Sequence, residues 1–233
     1  MKVNFLILFV VMSTNKMSSQ VGINTTAPTK TLDVNGEVRI RTLPVTNAST
    51  SLTVDASGNV GVSNNYVLYD LVSVDATAAV DYTPPSTATL TKNDINLGIS
   101  QTVTIPANKN AKVVVHYSVP MGLATEDDFS GYLGIRFLKN TVEAEEGSRK
   151  FTIDKQLGSP AEIFQMFAVT TTYTETFAPN ASPTVITYAL NGYMEMYSTY
   201  TTIIPTIRYN MWSTGTNYNW GRATMSVQVF IKD

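Results

Sequence analysis

The sequence predicts an all-β protein in which a short β-hairpin stalk precedes an antiparallel β-sandwich head of the jelly-roll type. Three observations predict it. Threonine, which favours strands, makes up about one residue in seven. Charged residues make up only 15% of the 233 residues, which argues against a long helical bundle or coiled coil. Short apolar runs recur between segments rich in Pro, Asn, Ser and Gly, as they do in antiparallel sheets.

The first 19 residues have the pattern of a secretory signal peptide. Lys2 precedes an apolar run over residues 3–12, and a polar stretch follows it. The run is too short to span a membrane, and the small residue Ser19 places cleavage before Gln20. Because the chain has no cysteine, it cannot be a lipid-anchored lipoprotein. We therefore expect a secreted or cell-surface protein without membrane insertion.

Two strand–turn–strand units follow, at residues 21–44 and 51–63. In the first, the pair Asn35-Gly36 separates apolar residues at 32–34 and 38–40, as in a two-residue hairpin turn. In the second, residues 55–59 form the turn. An isolated two-stranded unit is only marginally stable in water, so these segments need neighbours, most simply copies of themselves.

The first unit, VGINTTAPTKTLDVNGEVRI at residues 21–40, resembles the stalk repeat of phage tail-fibre-like and trimeric surface-adhesin proteins. The resemblance implies a homotrimer in which the short strands of three chains build a common β-prism. The stalk residues that it assigns to the trimer are Leu32, Val34, Val38 and Ile40. The alternative is a pair of hairpins packed on the carboxy-terminal domain, with no partner chain. We accordingly divide the chain into a signal peptide (1–19), a trimerising stalk (20–65) and a head (66–233).

The head contains nine runs that predict strands. They cover residues 66–74, 101–105, 112–119, 131–138, 149–153, 163–177, 184–197, 202–209 and 224–232. The charged segment 143–148 is expected to be a loop between strands, not a helix. A sandwich or jelly roll accommodates this pattern best. A trimeric stalk that leads into such a head resembles the architecture of complement-globular-head and tumour-necrosis-factor-like domains, which implies recognition more than catalysis, although architecture does not fix function.

The residues that most enzymes and metal sites need are scarce. Without cysteine, thiolate zinc sites, disulfides and a Cys nucleophile are excluded. The one histidine, His116, is expected to be structural, so we assign no catalytic residue, no enzyme activity and no cofactor. The loop Glu126-Asp127-Asp128 could offer oxygen ligands to calcium, as could glutamates 143, 145 and 146, but solvated loop charge explains both groups better. The mild acidity, a formal net charge of -2, argues against a nucleic-acid partner.

The most distinctive local composition is MWSTGTNYNWGR at residues 211–222, which contains both tryptophans of the chain. Aromatic faces can cover the apolar side of a sugar ring while amide and hydroxyl groups bond its hydroxyls. The candidate ligand-binding residues are Trp212, Asn217, Tyr218 and Trp220. In the alternative interpretation these aromatics, together with Tyr188, Tyr193 and Tyr197, belong to the core or to a threefold interface.

Three functions follow from these features. The preferred one is a secreted or surface-displayed trimeric, tail-fibre-like adhesin whose head recognises a carbohydrate or a protein receptor. The second is a structural subunit of an extracellular appendage or matrix. The third is a polysaccharide-active enzyme that uses two carboxylates, which nothing in the sequence requires.

Overall fold

The computed structural model describes residues 20–38, 51–63, 65–125, 129–155, 165–197, 204–213 and 220–232. The predicted signal peptide lies outside these ranges. The chain divides into two compact units, residues 1–47 and 48–233. Within the described ranges, no helix is long and apolar enough to cross a bilayer.

The first unit contains two short parallel strands, β1 (Val21–Ile23) and β2 (Leu32–Val34). The side-chain amides of Asn24 and Asn35 each donate to the other residue's carbonyl, at 2.9 and 3.3 Å, which ties the ends of the two strands together. The sequence predicted that β2 would pair with residues 38–40 across Asn35-Gly36. The structure gives β2 a different partner, β1, and residues 39–40 lie outside the described part of the chain.

The second unit begins with the predicted hairpin, which the structure confirms. Strands β3 (Ser51–Val54) and β4 (Val60–Ser63) pair antiparallel. One carboxylate oxygen of Asp55 accepts hydrogen bonds from the backbone N–H groups of Ser57 and Asn59, both at 2.9 Å. Gly58 supplies a positive φ of 80°, a conformation that favours glycine. The turn is therefore fixed by local chemistry alone.

The head of the second unit consists of two antiparallel sheets. Its elements are β5 (Val67–Asp75), β6 (Val80–Tyr82), β7 (Leu90–Ile105), β8 (Asn110–Leu123), β9 (Phe129–Lys139), β10 (Val142–Glu143), a 3-10 turn (Glu145–Gly147), β11 (Arg149–Lys155), β12 (Gln165–Phe177), β13 (Thr184–Met196), β14 (Ile207–Tyr209) and β15 (Thr224–Lys232). The front sheet has the order β11–β9–β13–β7, with β10 beside β9. The back sheet has the order β12–β8–β15–β5, with β14 beside the carboxy-terminal end of β8 and β6 beside β14.

The path of the chain through these sheets is that of a jelly roll. Apart from the short strands β6, β10 and β14, successive strands pass from one sheet to the other, and only the step from β9 to β11 stays within a sheet. Such double-sheet Greek-key connectivity defines the jelly roll. The predicted fold class, an all-β jelly-roll-like sandwich, is confirmed.

Some strand boundaries differ from the prediction. The run predicted at 101–105 belongs to the 16-residue strand β7, because Ile95, Leu97 and Ile99 alternate into the core before it. Of the run predicted at 202–209, the described residues form a strand only at β14. Segment 143–148 is not an α-helix, as expected, and holds the end of β10 and the 3-10 turn.

The core lies between the inner faces of the two sheets. Alternate residues of β8, β9, β13 and β15 are buried, as expected for strands that have one side against the core. At its centre Phe137 contacts Tyr117, Tyr173 and Tyr188, with ring centroids 6.1, 4.8 and 5.6 Å away. Tyr188 is thus a core residue, as the alternative interpretation of the aromatics proposed.

Candidate functional site

The hairpin β3–β4 carries an uncovered aliphatic face. Its register pairs Leu52 with Val62 and Val54 with Val60, so all four side chains lie on one side of the hairpin. They are 65–71% exposed in the single chain, whereas Thr53 and Gly61 are paired on the opposite side. The hairpin therefore has one aliphatic side and one side that carries Thr53 and Gly61.

The first unit repeats this arrangement with parallel strands. Val21 pairs with Leu32 and Ile23 with Val34, which again places four aliphatic residues on one side. The structure shows Leu32 exposed, Val34 half-buried and Val38 exposed, while Ile40 lies outside the described residues. Three of the four predicted stalk residues therefore have aliphatic surface to offer to another chain.

The predicted tryptophan region brings two of its four residues together. The rings of Trp212 and Trp220 lie 4.9 Å apart at an angle of 56°, and both are half-buried. The guanidinium of Arg208 lies 5.6 Å from the Trp212 ring centre and donates to the Trp212 carbonyl at 2.6 Å. Asp81 accepts from Arg208 through both carboxylate oxygens at 2.7 Å, which fixes the guanidinium. Asn217 and Tyr218 lie outside the described residues.

A second polar cluster lies on the outer face of the front sheet, around Lys150. The Lys150 ammonium lies 4.9 Å from the ring centre of Tyr132 and 4.6 Å from that of Tyr193. It donates to the Tyr193 hydroxyl at 3.2 Å and lies 3.5 Å from a carboxylate oxygen of Glu195. Tyr193 and Tyr197 thus lie outside the core, because they have the opposite strand parity to Tyr188.

The position of Lys150 depends on Gly134. The strand register places Gly134 between Lys150 of β11 and Tyr193 of β13. A Cβ atom at Gly134 would lie 2.5 Å from the Arg149 carbonyl oxygen and 2.7 Å from the Lys150 Cβ, so only glycine permits this approach of β11.

Beside this cluster the surface forms a cavity of about 330 Å³, which we term the front cleft. Its lining residues are Asn93, Ile135, Arg136, Glu143, Ser148, Arg149, Lys150 and Tyr193. Arg136 donates from Nε to a Glu143 carboxylate oxygen at 2.8 Å, and the Ser148 hydroxyl donates to the other oxygen at 2.8 Å. Arg136 also donates to the Asn93 carbonyl at 2.5 Å, which holds its guanidinium across the sheet.

The charge states of these groups follow from their hydrogen bonds and neighbouring charges. Burial raises the pKa of Glu143. The hydrogen bonds from Arg136 and Ser148 together lower the pKa by more, so it lies below its usual value. A glycosidase acid needs the opposite shift, so that its carboxyl is protonated near neutral pH. The hydrogen bond to Tyr193 and the charge of Glu195 raise the pKa of Lys150, which keeps its ammonium charged. The cleft therefore presents fixed charges.

The lowered pKa of Glu143 makes its contribution to stability depend on pH. A carboxylate whose pKa is lower in the folded state stabilises the fold above its unfolded pKa, about 4.3, and loses that effect as the pH falls through the folded pKa. Glu143→Gln should cost about 1 kcal/mol at pH 7, as partly exposed ion pairs do. Denaturant titrations at pH 7 and pH 3 should show a smaller difference from wild type at pH 3, and an equal difference at the two pH values would contradict this.

The remaining candidates offer less chemistry. His116 is exposed on the outer face of the back sheet, where its Nδ1 lies 3.0 Å from the Thr172 hydroxyl. The carboxylate of Glu143 forms an ion pair with Arg136. Within the described ranges, no three His, Asp or Glu side chains gather as a metal-ligand set, and the loop 126–128 lies outside those ranges.

The front cleft was not predicted from the sequence. Its lining residues come from the strands β7, β9, β10, β11 and β13 and from Ser148, which directly precedes β11. No short motif in the sequence links them. A signal is present in β9, where Tyr132, Gly134 and Arg136 occupy alternate positions that face away from the core. Polar and aromatic residues at the outward positions of a central strand can indicate a surface site, but only the sheet order shows which strands complete it.

Comparisons with known proteins assign no family. No family model matches the chain, and no curated protein matches it. Among solved structures, the VP2 subviral particle of infectious bursal disease virus matches with a TM-score of 0.31 and 8% identity, and it covers 78% of this chain and 43% of that one. The Gx strain of the same virus matches with a TM-score of 0.27, 10% identity, and coverage of 78% and 42%. The chain thus spans less than half of these viral chains, and similarity this low does not extend to function.

Proposed function

We propose that this chain is an exported, homotrimeric, tail-fibre-like binding protein whose head recognises a carbohydrate or protein receptor displayed on a surface, without chemistry of its own. The observation that carries the proposal is the pair of uncovered aliphatic faces on β1–β2 and β3–β4. Each face has four aliphatic side chains on one side of a two-stranded unit that buries almost nothing by itself. Copies of the same chain have the complementary surface to cover them.

The head has its own hydrophobic core and carries two surface clusters that could take part in recognition. The Trp212–Trp220 pair and the front cleft are both held by arginines that make several hydrogen bonds each. Pre-organised aromatic and polar groups reduce the entropy lost on binding. Three heads on one stem would add avidity toward a repeated receptor.

The direct test is the absolute mass in solution of residues 20–233, by light scattering after size exclusion. We expect three times the mass of the chain over a wide range of concentration. A monomeric mass would overturn the proposed homotrimer and the proposed trimeric stalk.

The contribution of the tryptophan pair can be tested on immobilised oligosaccharides. Because Trp220 is half-buried and outside the central core, Trp220→Ala should leave the thermal midpoint nearly unchanged and abolish retention on any neutral-oligosaccharide column that holds the wild type. The matched control is Tyr69→Ala, which removes an aromatic ring that is 53% exposed on β5. A large fall in the midpoint for Trp220→Ala would instead assign this residue to the structural core.

A structural subunit of an appendage or matrix is the second candidate, and the edge of the back sheet favours it. β5 is one of the two long outer strands of that sheet, and it displays exposed Leu68, Tyr69 and Leu71. An exposed apolar edge strand is a template for pairing with another chain. Growth in mass beyond the trimer as the concentration rises would favour this function over receptor binding.

A further inference from the structure

We infer that the front cleft binds a carboxylated sugar residue, such as a uronic acid, of a surface glycan. This inference rests on the proposed function, since it names the ligand class of the head. It places the contact on the outer face of the front sheet, among residues that the tryptophan region does not include. Three properties of the cleft support it: its charge, its shape and the restrained positions of its cationic side chains.

The cleft concentrates positive charge on a chain that is acidic overall. Arg136, Arg149 and Lys150 line it, while Glu143 pairs with Arg136 and Glu195 lies 3.5 Å from Lys150, so three cations face two carboxylates. The formal net charge of the whole chain is -2, so this local excess of cations is not a property of the surface in general. An anionic ligand is therefore attracted to the cleft. Arginine favours carboxylates because its planar guanidinium can donate two parallel hydrogen bonds to them.

The shape and remaining polar groups suit a sugar ring. The volume of about 330 Å³ lies at the small end of ligand pockets, about 300 to 1,000 Å³, which fits one ring better than a polymer segment. Tyr193 offers an aromatic surface for the apolar side of the ring. Asn93 is a further polar residue of the lining that could bond ring hydroxyls, whereas the Ser148 hydroxyl is used by Glu143 and by the Phe137 N–H. A simple inorganic anion would interact with the cationic groups of the cleft but would make no use of the aromatic ring of Tyr193.

The cationic groups are held in place before any ligand arrives. Arg136 is fixed by Glu143 and by the Asn93 carbonyl. Arg149 donates to the carbonyls of Glu146 and Ser148 at 2.8 and 2.6 Å, and Lys150 lies over two tyrosine rings. Since long cationic side chains lose rotamer entropy on binding, prior restraint favours affinity.

The test is calorimetric titration of the purified protein with a hexamer of galacturonic acid and with the neutral hexamer of galactose. We expect binding of the acidic hexamer that is weakened at least tenfold by Lys150→Gln, and further by Arg149→Gln. The affinity should also fall as NaCl is added, because exposed charges are screened. The thermal midpoint of each variant establishes that it is folded.

The chain offers a matched control in Lys232. Its ammonium lies 5.0 Å from the ring centre of Tyr66, so Lys232→Gln removes the same charge from a similar setting on the back sheet. This control should leave the affinity unchanged. Equal affinity of wild type and Lys150→Gln, or an equal loss in Lys232→Gln, would overturn the assignment to the front cleft.

The outcomes separate this inference from the proposed function. A trimer that binds the neutral hexamer and not the acidic one would overturn the inference while the proposed function stands. A trimer that binds neither would overturn the inference and leave a protein receptor as the proposed ligand. A monomer that binds the acidic hexamer through Lys150 would support the inference and overturn the trimer.

Discussion

Leu52→Asp is expected to reduce the mass of the protein in solution from three chains to one. Leu52 and its cross-strand partner Val62 lie on the aliphatic face of the hairpin β3–β4, which we propose to be covered by the other chains. A carboxylate there would be buried without a partner, at a cost of several kcal/mol, and symmetry would repeat the cost three times. Light scattering after size exclusion measures the mass directly.

The hairpin supplies its own control in Thr53. This residue follows Leu52 on the same strand and faces the opposite side, so Thr53→Asp adds the same charge away from the aliphatic face. The control should remain trimeric, and the thermal midpoint of the head should persist in both variants. Retention of the trimer in Leu52→Asp would show that this hairpin does not hold the chains together.

Phe137→Ala is expected to destabilise the head by about 3 to 5 kcal/mol, the usual cost of removing a buried aromatic ring. Phe137 is fully buried and contacts three tyrosine rings. For a domain of this size the thermal midpoint should fall by roughly 6 to 20 °C. Gly147 also packs on this ring, since a Cβ there would lie 2.4 Å from Phe137 Cδ1, so the segment carrying Glu143 and Ser148 loses its support.

The comparison variant is Phe151→Ala, which removes the same ring from a site that is 44% exposed and packs against Phe167. Its effect should be less than half of that of Phe137→Ala, because less apolar surface is buried there. Calorimetry at a fixed protein concentration measures both midpoints. Similar shifts in the two variants would show that the core is not centred on Phe137.

The strands of the head could be predicted because each carries its own signal. Alternation of apolar residues depends only on the two-residue period of a strand, so β8, β11 and β15 were placed within a few residues. β7 was predicted too short, although Ile95, Leu97 and Ile99 alternate with polar residues as the apolar residues of a strand do. The parallel pairing of β1 with β2 could not be read from the sequence, since Asn35-Gly36 is equally compatible with a hairpin.

Site residues were harder to predict. Trp212 and Trp220 were found because rare residues at close spacing stand out, and the structure brings their rings together. Lys150, Tyr132 and Tyr193 were not found, although all three lie in predicted strands. They meet because β11, β9 and β13 are neighbours in the front sheet, and that order is not encoded in any local pattern.

By itself the sequence determined the fold class, the amphipathic character of the predicted stalk segments and the absence of thiol chemistry. These properties depend only on composition and on periodicities a few residues long. Only the tertiary structure decided which aromatics are core and which are surface, and which cations share a cleft. Tyr188 and Tyr193 lie on the same strand, β13, yet one faces the core and the other faces Lys150. Strand parity and sheet order set that difference, and both are fixed by pairings between residues far apart in the chain.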